Sequence, residues 1–200
     1  MASRFASPQQ PEKGRTLGPL ADLERHLPAD WWRTLFNAVY VQTDGDVVEN
    51  AANTTADVDL LLSATGLKSD AHVLDLCCGQ GRHTIELARR GFQNLSAIDR
   101  SRYLIRLARR RARAAGFTVN FREGDARSVR PADGPFDCVA ILGNSFGYFE
   151  SQAEDLAVLT AVRAALRAGG VVAMDISDGD WVRKNFERRS WEWIDRQHFV

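Results

Sequence analysis

The chain has 200 residues, 44% of them hydrophobic and 26% charged, and a formal net charge of zero. That length accommodates one domain with a real core, and the balanced charge excludes a global field that would draw the chain to nucleic acid or to an acidic membrane. No apolar run approaches a membrane span and no charged-then-apolar leader opens the chain, so the expectation is a cytoplasmic protein.

Arginine greatly outnumbers lysine, which occurs only as Lys13, Lys68 and Lys184, and alanine is abundant. This composition fits a GC-rich bacterial genome. Cys77, Cys78 and Cys138 lack metal-ligand spacing and read as small buried hydrophobes, so no metal site is expected.

In chain order, residues 1–19 carry Ser, Gln, Gly and Pro and little that is apolar, and read as a flexible tail. Residues 20–70 read as a helical cap. Within it, Asp30 can cap one helix holding Trp31, Trp32, Leu35, Phe36, Val39 and Tyr40 on an apolar stripe. Thr54 or Thr55 opens a second helix with Val58, Leu61 and Leu62 on one face, closed by Gly66. From about residue 71 a regular alternation begins. Strands are predicted at 72–77, 94–98, 118–122, 136–142 and 171–176. Helices are predicted at 82–90, from a Ser101 cap to about Ala115, and at 152–167, with Gly91, Gly116 and Gly169-Gly170 as stops. Alternation at this pitch implies an α/β fold: a mostly parallel, doubly wound, Rossmann-like sheet with helices on both faces.

The run Val73-Leu74-Asp75-Leu76-Cys77-Cys78-Gly79-Gln80-Gly81-Arg82 is a strand, a glycine loop and a helix start. This unit brings backbone N–H groups and a helix N-terminus up to a cofactor. In open parallel sheets, ligands bind at the carboxyl ends of the strands. The informative residues fall there. Asp99 ends the second strand, where an acid is expected to accept both hydrogen bonds of a ribose diol. Asp125 follows the third strand and can accept from an adenine amino group. Leu142, Gly143 and Asn144 follow the fourth.

This constellation resembles the class I S-adenosylmethionine-dependent methyltransferases. The resemblance rests on Val73–Gly81, Asp99, the Gly124-Asp125 pair, Pro135-Phe136-Asp137-Cys138-Val139 running into Asn144, and Leu166-Arg167-Ala168-Gly169-Gly170-Val171-Val172. It covers residues 71–177, the expected cofactor-binding core. It implies S-adenosylmethionine as cofactor and S-adenosylhomocysteine as product. It also implies that Asp75, Cys77, Gly79 and Gly81 hold the methionine part, Asp99 with Arg100 the ribose, and Asp125 with Ala126 the adenine. Leu142 and Gly143 line the floor, Asn144 faces the methyl group, and Tyr40 closes the site from an N-terminal helix. The family loop usually has glycine where Cys77 stands.

The family sheet normally ends with a helix and an antiparallel strand pair after the fifth strand, and residues 178–200 are too few for them. Residues 191–200 look like a strand cut off in progress, which raises the expectation of a partial lid or a truncated chain. The expected activity is methyl transfer to an O, N or C nucleophile of a small-molecule acceptor, with Asn144, Tyr148 and His198 as acceptor contacts and no designated catalytic residue. Three alternatives stand beside it: a cofactor-binding fragment without activity, a protein that turns the same cofactor to non-methyl chemistry, and an RNA methyltransferase. The last would use the arginines at 102, 106, 109, 110, 111 and 113, but their spacing spreads them around the helix, so a solvated face is the favoured reading. A nicotinamide-dinucleotide site is disfavoured, because the loop lacks the third glycine of that fingerprint. Oligomeric state is left open.

Overall fold

A computed structural model describes residues 30–187 and Trp193. The expected tail, the first residues of the cap, His198 and the strand-like 191–200 segment, Trp193 excepted, lie outside the described residues. The chain divides into two compact units, residues 1–31 and 32–200. Everything below concerns the second.

The five predicted strands form one parallel sheet in the order β3-β2-β1-β4-β5. They are β1 (Val73–Leu76), β2 (Leu95–Asp99), β3 (Asn120–Glu123), β4 (Phe136–Ile141) and β5 (Leu166–Met174). β1 is central and all four of its residues are buried, as a strand covered on both faces requires. Helices α5 (Arg82–Arg89), α6 (Arg102–Ala114) and α7 (Gln152–Ala165) follow β1, β2 and β4. Before them come α1 (Trp32–Leu35), α2 (Ala38–Thr43), α3 (Gly45–Val48) and α4 (Ala51–Thr65), and α8 (Gly179–Asn185) follows β5.

Side chains on the two sheet faces build separate cores. On one face, Val73, Leu95, Cys138 and Ala140 pack with Val58 and Leu61 of α4 and Leu87 of α5. The same face continues where Ala97 and Phe121 meet Ile105, Ala108 and Ala112 of α6. On the other, Leu74, Leu76, Val139 and Ile141 pack against Val158 and Val162 of α7. α6 shows how the sequence selects its face. Its buried Leu104, Ile105, Ala108 and Ala112 recur at helical spacing, and its arginines all fall at other positions.

Several boundaries differ from the sequence reading, each for a local reason. The single helix expected over residues 31–40 is broken. The Asn37 side chain accepts from the amides of Val39 and Tyr40 at 2.7 and 3.4 Å, which starts α2 afresh. α4 begins at Ala51 rather than Thr54, because Asn50 caps it through the amides of Ala52 and Asn53. Leu166–Gly170, read as helix end and turn, belongs to β5 through a register irregularity opposite Phe136 and Cys138. Ser101, Gly66 and Gly116 act as the sequence indicates: Ser101 caps α6 through the Leu104 amide, and both glycines take left-handed conformations at helix ends. α4, grouped by sequence with the cap, is a core helix. α1 and α2 contribute no buried residue at all.

Because Leu61 is 3% exposed and Leu60, one position earlier, is 69% exposed, the two leucines test the role of α4. Leu61→Ala is expected to cost about 2–5 kcal/mol and Leu60→Ala less than about 0.5 kcal/mol. Urea midpoints at unchanged slope provide the measurement.

Candidate functional site

Between β1 and β4 the strand order reverses, and a cavity opens there at the carboxyl ends of the strands, the position expected for a ligand in an open α/β sheet. Its walls come from the β1–α5 loop (Cys77, Gly79, Gln80), the β2 end (Asp99, Arg100), the β3 end (Asp125, Ala126) and the β4 end (Leu142, Gly143). Trp32, Phe36 and Tyr40 of the α1–α2 region and Tyr148 and Phe149 beyond β4 cover it.

Asp99 organises the floor. Its Oδ2 accepts the Gly79 amide at 2.8 Å and its Oδ1 the Ser101 amide at 2.7 Å. A carboxylate oxygen has two acceptor positions, so each oxygen keeps one for a ligand. Burial pushes the Asp99 carboxyl above its usual range, against the lowering effect of those two amides. Gly79 has φ 54°, and a Cβ there would meet nothing closer than Leu104 at 3.9 Å. Its missing side chain therefore leaves backbone open to the cavity.

The loop owes its shape to one residue that is not glycine. Cys77 has φ 62°, the left-handed region that costs an ordinary residue about 1–2 kcal/mol. Its thiol lines the cavity, and burial, with the charges of Asp99 and Asp75 adding, raises its pKa far above the ordinary thiol value. It is a neutral wall, not a nucleophile.

Asp75 and Gly81, expected to contact the cofactor, and Asn144, expected to contact the acceptor, are not among the residues that line the cavity. Asp75 is 2% exposed and accepts from Thr84 Oγ1 at 2.5 Å, so it fixes the first turn of α5. Burial raises its carboxyl pKa. Gly81 packs α5 against its neighbours: a Cβ there would lie 2.8 Å from the Phe121 ring and 3.0 Å from Ala108. Asn144, expected to face the reacting group, is outside the cavity lining. Its Oδ1 accepts the Ser177 amide and its own amide donates to Asp175 Oδ1, both at 2.9 Å, so it ties the β4 and β5 ends together.

Asp125 lines the cavity, already heavily engaged. Its Oδ1 accepts from the Arg127 amide and Nε, both at 2.9 Å, and its Oδ2 from Arg127 Nη2 at 2.6 Å and Arg100 Nη1 at 2.9 Å. The Arg127 side chain, above all, holds its carboxyl below the usual range. The Arg100 and Arg127 guanidinium carbons lie 4.9 and 5.8 Å from the Trp32 ring centre, and Phe149 meets Trp32 edge-on at 5.1 Å. This cation–π stack attaches α1 to the rim.

Tyr40 packs edge-on against Phe36, which meets Tyr148 the same way. Burial first, and Asp44 second, push the Tyr40 phenol up to about 12. The cap is tied down by polar contacts. Ser101 Oγ donates to the Phe36 carbonyl at 2.6 Å and Gln80 Nε2 to the Val48 carbonyl at 3.0 Å.

Sequence reasoning overlooked Arg82. It lines the cavity with its side chain 13% exposed. The signal was present, since the residue directly follows the last glycine of the loop. Among the arginines once weighed as an RNA stripe, Arg102 pairs with Glu123, Arg109 with the Phe121 carbonyl and Arg111 with Glu49. Half of that stripe is committed to intramolecular contacts.

A parallel sheet in this order, with a glycine loop after β1 and an acid at the end of β2, defines a Rossmann-like cofactor-binding protein. Residues 73–170 match the family described as a methyltransferase domain. The chain is 26% identical over 185 residues to a ubiquinone biosynthesis O-methyltransferase of Cereibacter sphaeroides, covering 84% of this chain and 71% of that one. It is 34% identical over 116 residues to the glycine/sarcosine N-methyltransferase of Parasynechococcus marenigrum, covering 58% and 40%. Among solved structures it is similar to an S-adenosylmethionine-dependent methyltransferase from Thiobacillus denitrificans in complex with S-adenosyl-L-homocysteine. The identity there is 28% and the TM-score 0.54, over 68% of this chain and 54% of that one. Residues 73–170 thus carry a methyltransferase domain, and through it the chain is similar to S-adenosylmethionine-dependent methyltransferases. It spans about half the length of the first curated relatives it matches, between 40% and 71% of each. No helix among the described residues is long and apolar enough to cross a membrane.

Two measurements test this geometry. Cys77→Gly should fold and keep its stability within about 1 kcal/mol, since relief of left-handed strain offsets the extra freedom of the unfolded chain. Cys77→Val should lose more than about 2 kcal/mol, because a β-branched residue fits that region poorly. For Tyr40, a folded pKa above the unfolded value means stability that is complete below pH 10 and declines as pH rises toward 12. Tyr40→Phe should flatten that alkaline decline in pH-dependent urea melts.

Proposed function

We propose that the cavity binds S-adenosylmethionine and that the protein transfers its methyl group to a small-molecule O, N or C nucleophile. The carrying observation is Asp99, a half-buried carboxylate with one free acceptor position on each oxygen beside the open backbone of Gly79. That pair suits a vicinal ribose diol. The residues fit the rest of the group. Gly79 leaves room for an approach to the backbone, and Leu142 and Gly143 form a smooth floor. Ala126 offers a small surface beside Asp125 for the adenine. The bonds already on Asp125 mean that adenine recognition through its side chain requires the exposed Arg100 contact to give way.

When bound, S-adenosylmethionine supplies an electrophilic methyl whose sulfonium charge vanishes on transfer. The task of the chain is therefore to align the acceptor and exclude water. Phe36, Tyr40, Phe146, Tyr148 and Phe149 do this with an apolar, aromatic enclosure. Tyr40 and Tyr148 stay neutral at physiological pH, since burial raises both phenols. They serve as hydrogen-bonding walls, with Tyr148 as an acceptor contact. The small-molecule reading is supported by the enclosed aromatic pocket, by two relatives named for O- and N-methylation, and by the committed arginines of α6.

Calorimetric titration of S-adenosylmethionine and S-adenosylhomocysteine tests the reading. Micromolar binding is expected. Asp99→Ala should weaken it by about 10- to 150-fold, the range for losing hydrogen bonds to a charged group. A folded wild-type chain that binds neither compound would sink the assignment.

A further inference from the structure

Arg82 is placed in a way that the bound nucleoside does not account for. It stands at the first position of α5, directly after the glycine loop, with its side chain mostly buried. One guanidinium nitrogen is spent on the neighbouring helix α4: Nη1 donates to Asp57 Oδ2 at 2.7 Å and to Thr54 Oγ1 at 3.2 Å. The other, Nη2, is turned toward the floor of the cavity and would lie 3.7 Å from a Cβ at Gly143. It has no hydrogen-bond partner among the described residues. A guanidinium carries five donors in a rigid fork, so clamping one end fixes the direction in which the other points. The Arg82 charge is already paired with Asp57, so what it offers the cavity is the pair of donors on Nη2, and a carboxylate is the acceptor that suits a guanidinium edge best.

Asp57 is built to hold this aim. The same Oδ2 also meets His83 Nε2 at 3.0 Å, and His83 is 4% exposed at the cavity edge. Desolvation works to raise the Asp57 carboxyl, but the bonds from His83 and Arg82 outweigh it and hold the group below its usual range. α4 is anchored in the core through Val58 and Leu61. The clamp therefore rests on a rigid element and not on the weakly attached cap.

We propose that Arg82 is a carboxylate seat, with Asp57 and Thr54 as its positioning residues. The ligand group is a carboxylate small enough to lie between Arg82, Gly79 and Gly143. It belongs either to the amino-acid end of the cofactor or to the methyl acceptor. This inference rests on the cofactor reading above.

The test compares two nucleosides that differ only in that group: S-adenosylhomocysteine and its decarboxylated analogue, 5′-(3-aminopropylthio)-5′-deoxyadenosine. If the seat takes the cofactor's carboxylate, the wild type binds S-adenosylhomocysteine about 10- to 100-fold more tightly. Arg82→Met then abolishes that preference while leaving the analogue's affinity unchanged, and Arg82→Lys, which keeps the charge without the fork, restores part of it. Asp57→Asn lowers the preference several-fold, again without changing affinity for the analogue, a selectivity that a merely structural role would not produce. If the seat takes the acceptor's carboxylate, both nucleosides bind equally. Sodium acetate, used as the minimal probe, then raises the melting temperature of the wild-type complex with S-adenosylhomocysteine but not that of Arg82→Met. Equal binding with no acetate effect overturns the seat and leaves the cofactor reading intact. Failure of the wild type to bind either nucleoside overturns both.

Discussion

The Asp99 carboxylate is the interaction on which the rest of the site depends. Its two oxygens collect amides from two different elements, the β1–α5 loop and the start of α6. This fixes the loop relative to α6 without any contact from a ligand. The arrangement carries a desolvation penalty, visible in the raised carboxyl pKa, and two charge-assisted hydrogen bonds offset it. Everything nearby is arranged around that fixed point. Ser101 caps α6 with the same hydroxyl that donates to the Phe36 carbonyl of the cap. Gly124 donates its amide to the Asp99 carbonyl at 2.9 Å and so carries β3 to the same place.

The loop after β1 divides its labour in a way that the sequence only half discloses. Gly79 leaves backbone open to the cavity, whereas Gly81 lets α5 approach Phe121 and Ala108. Both read simply as glycines of a cofactor loop, because a one-letter pattern does not distinguish a missing side chain that admits a ligand from one that admits a helix. Asp75 belongs to the same category. Its place in the motif suggests ligand contact, and its bond to Thr84 shows a scaffold role. Scaffold residues of this kind share a motif with contact residues because the same geometry requires both.

The sheet itself was legible. Strand–helix alternation fixed the parallel class, and the caps at Ser101 and Gly66 act through local bonds that a sequence can display. Most of what was not legible depended on long-range partners. Asn144 reads from sequence as a site residue, and its tie to the Ser177 amide, 33 positions away, shows only in the fold. Arg82 was overlooked because its meaning comes from Asp57 and Thr54, on a helix that the sequence grouped with the cap. The break at Asn37 was missed because an apolar stripe continues through it, and only the side-chain cap shows that the backbone restarts.

The weak burial of α1 and α2 has a consequence for how such a chain can change over time. These helices place no side chain in the core, and they and the short α3 after them are held by a handful of contacts: a hydroxyl on the Phe36 carbonyl, a side-chain amide on the Val48 carbonyl of α3, and the Trp32 stack. The sheet beneath gains its stability elsewhere, so substitutions in residues 32–48 are tolerated by the fold to a degree that substitutions in β1 or β4 are not. Roof and foundation are thus separable under selection. Under the proposed function, a new acceptor could then be accommodated by rewriting about one and a half dozen residues that contribute little to the core.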